Sequence, residues 1–255
     1  MRGAQPNPRS VWLVRHGESA GNVARDLAER EGHHLIELTG RDIDVPLSDL
    51  GERQSRALGR WFGRLPAEQR PSVVLTSPYR RARQTAELLM AEARLHDDRV
   101  ALVVDERLRE KEFGSLNRFT KAGILAKFPH EASLRAEIGK FYYRPPAGES
   151  WCDVILRLRS VLDHIHLHYP DERVLVVAHQ VIVLCFRYLI EELDEDRILA
   201  IDRERDVANC SVTSFKRGAD AQGRSKLMLE AYNFVAPLEQ AGEPVTTSPD
   251  RPVAS

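Results

Sequence analysis

Residues 11–22 read Val-Trp-Leu-Val-Arg-His-Gly-Glu-Ser-Ala-Gly-Asn, and this stretch decides the fold. Four apolar residues run without polar alternation and stop at an arginine, a histidine and a glycine. A run that short fits a strand covered on both faces, as in a parallel sheet; it is too short for a buried helix. Three similar runs come later, Val73–Leu75, Ala101–Val104 and Val174–Val177. Helical patterns separate them, at Asp49–Leu65, from Ser77 to about Ala93, at Val154–His168 and at Val181–Leu193. Ser77 followed by Pro78 reads as an N-cap with proline at the first helical position. Alternating strands and helices predict a three-layer α/β/α fold around a mostly parallel, doubly wound sheet. Near the C-terminus, Ser211–Phe215 and Lys226–Tyr232 flank the Gly-containing turn RGADAQGRS and predict an antiparallel edge hairpin.

The bulk composition narrows the function classes. The chain has 255 residues, which suffices for one large α/β domain, predicted over 10–235. Residues 1–9 and 236–255 read as flexible tails, and 115–150 as a lid-like insertion of mixed helix and loop. With 37 basic and 38 acidic side chains the net charge is −1, so no nucleic-acid or membrane partner is expected and any anion site must be local. Cys152, Cys185 and Cys210 are odd in number and widely spaced, which predicts free thiols in a cytoplasmic protein. The N-terminus lacks the apolar core of a signal peptide, and no apolar stretch is long enough to span a membrane.

Ligands of open α/β sheets bind beyond the carboxyl ends of the strands. The residues just after each run are therefore informative: Arg15 and His16, then TSPYRRARQTA with Arg80, Arg81 and Arg83, then DERLREKEFG, then Ala178-His179-Gln180. Parallel strands bring these loops to one edge. The group types suit phosphate, because arginine forks match its oxygens and remain charged. A neutral imidazole can attack phosphorus, and a carboxylic acid can protonate the departing alkoxide. No Walker loop and no cluster of aspartates for magnesium is present, so no cofactor and no metal is expected; the arginines carry the neutralising charge.

LVRHGESAGN (13–22) resembles the RHG signature of the histidine phosphatase (phosphoglycerate-mutase-like) superfamily. Further matches occur in order: PLSDLGERQ (46–54), SPYRRARQTA (77–86), LREKEFG (108–114), PPAGES (145–150), VLVVAH (174–179) and NCSVT (209–213). The resemblance implies that His16 is a nucleophile that becomes phosphorylated. It implies that Arg15, Asn22 and Arg81 hold phosphoryl oxygens, with Gly17 letting the backbone approach them. Glu110 falls on the proton-donor position, with Glu106 and Glu112 as competitors. His179 is the second histidine of the pattern, stabilising the transition state. Gln180 departs from the glycine usual there, and its amide could narrow the pocket or add a donor. Arg80 and Arg83 are expected to face solvent or a substrate's outer groups.

The family divides between phosphatases and mutases. Its cofactor-dependent mutases carry an FTGW-like segment and a YG-x-L-x-G segment; here the corresponding stretches are LTGRDIDVPLS (38–48), with Arg41, and EFGSLNRFT. The reading favoured is a metal-independent phosphomonoester hydrolase acting on a small phosphorylated substrate. A phosphoglycerate mutase-type phosphotransferase and a non-catalytic phosphate-binding module are the alternatives. A homo-oligomer is left open. His164 and His168, one helical turn apart, read as surface residues, and the aromatic and basic residues 141–144 as either substrate wall or packing.

Overall fold

A computed structural model describes residues 7–95 and 100–248. In chain order the elements are β1 (Ser10–Arg15), α1 (Ala20–Arg30), α2 (Asp49–Arg64), β2 (Val73–Thr76), α3 (Arg80–Ala93), β3 (Ala101–Val104), α4 (Lys121–Lys127), α5 (Pro129–Ile138), α6 (Trp151–His168), β4 (Arg173–Ala178), α7 (Gln180–Ile190), α8 (Glu195–Glu204), β5 (Val212–Ala219), β6 (Ser225–Phe234) and α9 (Ala236–Ala241). The strands form one sheet in the order β3-β2-β4-β1-β5-β6. The first four are mutually parallel, and β5 and β6 add the antiparallel edge hairpin.

Strand alternation divides the core into two layers. Val11, Leu13, Val174 and Val176 pack with α6, α7 and α8 on one face. Trp12, Val14, Leu175 and Val177 pack with α2, α3 and Leu238 of α9 on the other. The short apolar runs are thus strands buried on both faces, except in β3. That edge strand leaves Leu102 37% and Val104 50% exposed, because it has a strand neighbour on one side only.

Other expectations need correction. The third helix begins at Arg80, not at Pro78, and Tyr79 precedes it without a side-chain cap. Ser77 is fully buried at the end of β2, and its hydroxyl has a partner in the site. The tails are shorter than expected. Arg9 extends the ladder, its N–H donating to Glu172 O at 2.7 Å and its carbonyl accepting from Arg217 N. At the other end, α9 buries Pro237 and Leu238, and the chain beyond it is bound as far as Ser248. These segments lack periodicity because backbone hydrogen bonds and isolated apolar anchors such as Leu238, rather than an apolar stripe, hold them. The rest of both predicted tails lies outside the described residues. No helix among the described residues is long and apolar enough to cross a membrane.

The insertion-like stretch forms α4 and α5 over a small cluster of Leu116, Ile124 and Tyr143. Within 141–144 the buried aromatics are packing residues, while Tyr142 is exposed. Phe141 joins the main core, Tyr143 the small cluster, and Arg144 pairs with Asp153. His164 and His168 lie against each other at the helix surface, with tilted rings whose centroids are 4.4 Å apart.

The N-terminus of α2 presses against the loop after β1. A Cβ on Gly51 would stand 1.9 Å from the Glu18 carbonyl oxygen, and one on Gly17 would stand 2.5 Å from the Gly51 carbonyl oxygen. Alanine at 51 should gain about 1 kcal/mol from helix propensity. The clash is with backbone, which cannot rotate away, and overpacking of that kind costs about 1–3 kcal/mol or more. Gly51→Ala is therefore expected to lower the melting temperature by several degrees in a thermal melt. An unchanged or raised melting temperature would show that the loop can yield.

Candidate active site

Three loops are pinned side by side at the carboxyl edge of the sheet. His16 N donates to Ala178 O at 2.9 Å and Ser77 N to Val177 O at 3.0 Å, continuing the ladders beyond the strands. Asn209, just before β5, donates to His16 O at 2.9 Å from the other side. Side chains following β1, β2 and β4 thus converge because the register continues.

His16 and His179 are fully buried, with ring centroids 5.1 Å apart. His16 Nδ1 lies 2.7 Å from Gly17 O. A carbonyl can only accept, so Nδ1 carries the proton and Nε2 presents its lone pair. Arg81 Nε donates to that Nε2 at 3.3 Å. The imidazole is thereby held in one tautomer, with its Nε2 lone pair toward the Arg81 guanidinium.

His179 Nε2 meets Ser77 Oγ at 2.8 Å, and its Nδ1 is 3.5 Å from Glu110 Oε2. Glu110 is 3% exposed, and its Oε1 accepts from Lys111 N at 2.7 Å. Its loop is clamped from below. Arg157 donates to Glu110 O at 3.3 Å and to both oxygens of Glu149, while Glu149 also accepts from Glu112 N. Burial raises the Glu149 carboxyl and the Arg157 contacts outweigh it, leaving the acid below its ordinary range. This accounts for PPAGES lying so far along the chain from the acid it supports. Burial pulls the neighbouring Lys111 ammonium down to about 8, with Glu110 opposing.

The competing residues are also placed. Glu112 accepts from the Tyr79 hydroxyl at 2.8 Å, Glu106 is exposed, and so are Arg80 and Arg83. Burial and then the Glu112 charge push the Tyr79 phenol well above its ordinary value. Its ring stands edge-on to His179 at 5.2 Å, with the Arg81 guanidinium carbon 4.9 Å from its centroid.

A cleft of about 540 Å3, counting the part open to solvent, reaches Arg81 and Glu110. Asn22, Arg25, Arg81, Glu110, Phe113 and Arg118 are among its lining residues. Asn117 and Arg118 are the contribution of the 115–150 stretch. Arg118 ties down the opposite loop by donating to Leu38 O and Gly40 O.

Three expected residues are placed differently. Arg15 is fully buried, and its Nη1 and Nη2 donate to Val207 O at 2.6 Å and Ser248 O at 2.5 Å. Gly17 makes its close approach to α2. Gln180 opens α7 and donates to Asp206 Oδ1 at 2.8 Å. Asn22 has two roles: it lines the cleft, and its Oδ1 accepts from Ser19 N and Oγ, closing the cap of α1. Ser77, Tyr79 and Asp42 were not foreseen. Ser77 and Tyr79 lie within the arginine-rich stretch already singled out, whereas Asp42 carried no signal. Among the described residues no group of three or more His, Cys, Asp or Glu is arranged to hold a metal ion.

The family profile described as histidine phosphatase superfamily (branch 1) matches residues 11–227. A 6-phosphofructo-2-kinase/fructose-2,6-bisphosphatase of Caenorhabditis elegans is 32% identical over 179 residues, 70% of this chain and 33% of that one. The chain thus spans about a third of the length of such bisphosphatase relatives. A 2,3-bisphosphoglycerate-dependent phosphoglycerate mutase of Gloeobacter violaceus is 29% identical over 221 residues, 85% of this chain and 89% of that one. Among solved structures, a mycobacterial glucosyl-3-phosphoglycerate phosphatase superposes with a TM-score of 0.67 at 25% identity, over 89% of this chain and all of that one.

Proposed function

The chain belongs to the histidine phosphatase superfamily, and we propose that it hydrolyses phosphomonoesters through a phosphohistidine on His16. The observation that carries this reading is the fixed tautomer, with Nδ1 held by Gly17 O and Nε2 facing the cleft-lining Arg81. In the first step the Nε2 lone pair attacks phosphorus, and the P–O bond to the alcohol breaks. Glu110 gives its proton to the departing alkoxide. In the second step water attacks the phosphohistidine, Glu110 takes a proton from it, and the P–N bond breaks to free inorganic phosphate and neutral His16. Arg81 and His179, both nearly buried, neutralise the equatorial oxygens. Arg15 adds positive charge next to His16, while its terminal amines hold Val207 O and Ser248 O. The bisphosphatase and phosphatase relatives support hydrolysis.

A mutase reading has one observation in its favour, the Gloeobacter relative that matches nearly end to end. Phosphate release in the presence of EDTA separates the two. The panel contains fructose 2,6-bisphosphate, glucosyl-3-phosphoglycerate, 3-phosphoglycerate and 2-phosphoglycerate beside p-nitrophenyl phosphate. Release of inorganic phosphate is the expected result. Interconversion of the phosphoglycerates without release would select the mutase. Silence throughout would leave a phosphate-binding module.

A further inference from the structure

The arginine beside the nucleophile already has an anion on it. Arg81 Nη1 donates to Asp42 O at 2.9 Å and to Asp42 Oδ1 at 3.1 Å, and Nη2 donates to Oδ2 at 3.3 Å. Its Nε is on His16. All three guanidinium nitrogens are therefore engaged by His16 and Asp42. The two partners differ in freedom. The Arg81 side chain is 6% exposed and comes from a long helix packed on the sheet. The Asp42 side chain is 36% exposed, lines the cleft, and comes from a single helical turn, Asp42–Asp44, in the connection between α1 and α2.

A phosphoryl group on His16 Nε2 would lie against the same guanidinium. Its oxygens need the Nη donors that the Asp42 carboxylate holds, and two anions a few ångströms apart repel. One must leave, and the carboxylate on the exposed turn is the group able to move. We propose that Asp42 is a displaceable stand-in for the substrate's phosphoryl group, and so a determinant of which anions the site accepts. This inference rests on the phosphotransfer reading above.

Tethering gives the carboxylate a high effective concentration at Arg81, so an incoming anion binds only in proportion to the fraction of molecules in which the turn has swung away. A phosphoryl dianion, with three oxygens and two charges, competes well. A carboxylate or a phosphodiester, with one charge, competes poorly. In the empty protein the pair also keeps the Arg81 charge compensated, which limits the cost of holding it nearly buried.

The opposite role, in which Asp42 merely orients Arg81 for the substrate, predicts the opposite sign. Inorganic phosphate binding, measured by titration calorimetry and as product inhibition of p-nitrophenyl phosphate hydrolysis, decides between them. Asp42→Asn, and Asp42→Ala as a second variant, are expected to tighten phosphate binding about tenfold. The gain should vanish when Arg81→Ala is combined with either. Binding that is unchanged or weaker in both Asp42 variants would overturn the proposal. If the wild-type protein binds no phosphate, or binds it equally with Arg81→Ala, the phosphotransfer site itself is misplaced and the proposal falls with it.

Discussion

His16→Ala is expected to lower turnover of any phosphomonoester by at least about 10⁴-fold, because the bond-forming atom is gone. Stability should suffer far less. The imidazole contacts Gly17 O and Arg81 Nε, and losing these contacts costs about 1–3 kcal/mol. The backbone at His16 is held independently, by Ala178 O and Asn209 Nδ2. The circular dichroism spectrum should therefore be that of the parent and melting should stay cooperative. Steady-state hydrolysis of p-nitrophenyl phosphate checks the first part. A folded His16→Ala protein with more than a few per cent of parental activity would remove His16 from the chemistry.

Glu110→Gln is the second large effect, and its mark is selectivity. An alkoxide is a poor leaving group and needs a proton in the transition state, whereas p-nitrophenolate leaves as a stable anion. The substitution should slow alkyl phosphates by about 10²–10⁴-fold and p-nitrophenyl phosphate by less than about tenfold. Gln fits the same space, and its amide oxygen can still accept from Lys111 N, so the loop should stay in place. Glu112→Gln is the control. That carboxylate faces the Tyr79 hydroxyl, so its loss should slow both kinds of ester alike. Selectivity appearing at Glu112 instead would move the acid by two residues. Comparing kcat/KM for the two ester classes in both variants is the measurement.

The central sheet was legible because its strands are buried on both faces, so Val11–Val14 and Val174–Val177 carry an unbroken apolar run. The edge strand β3 shows the limit of that signal. It carries the same kind of run while remaining half-exposed, so apolar composition identified the strand but not its burial. That His16, Arg81, Glu110 and His179 lie at one edge of the sheet was legible for a related reason, whereas their roles came from the family resemblance. They come after strands or sit at helix starts, so sequence order fixes their position in space.

The residues that escaped sequence reading depend on long-range contact. Asp42 lies in a turn with no periodicity, and its partner is 39 residues away. Ser77 reads as a helix cap from local rules, yet its hydroxyl is on His179, 102 residues away. Residues 242–248 look like loose chain, but Gln54 donates to Pro244 O, Asn209 N to Thr246 O, and Arg15 to Ser248 O. A segment bound by its carbonyls leaves no trace in side-chain pattern. The same contacts explain why Arg15, expected to point at phosphate, has both terminal amines on backbone oxygens.

The most direct test of the account is to trap the intermediate. Substrate labelled with radioactive phosphate is mixed with the protein, quenched within milliseconds in alkali, and digested. The account predicts a label stable in alkali, labile in acid, and carried by the peptide containing His16. A label on another residue, or full turnover with no labelled protein at any quench time, would contradict it.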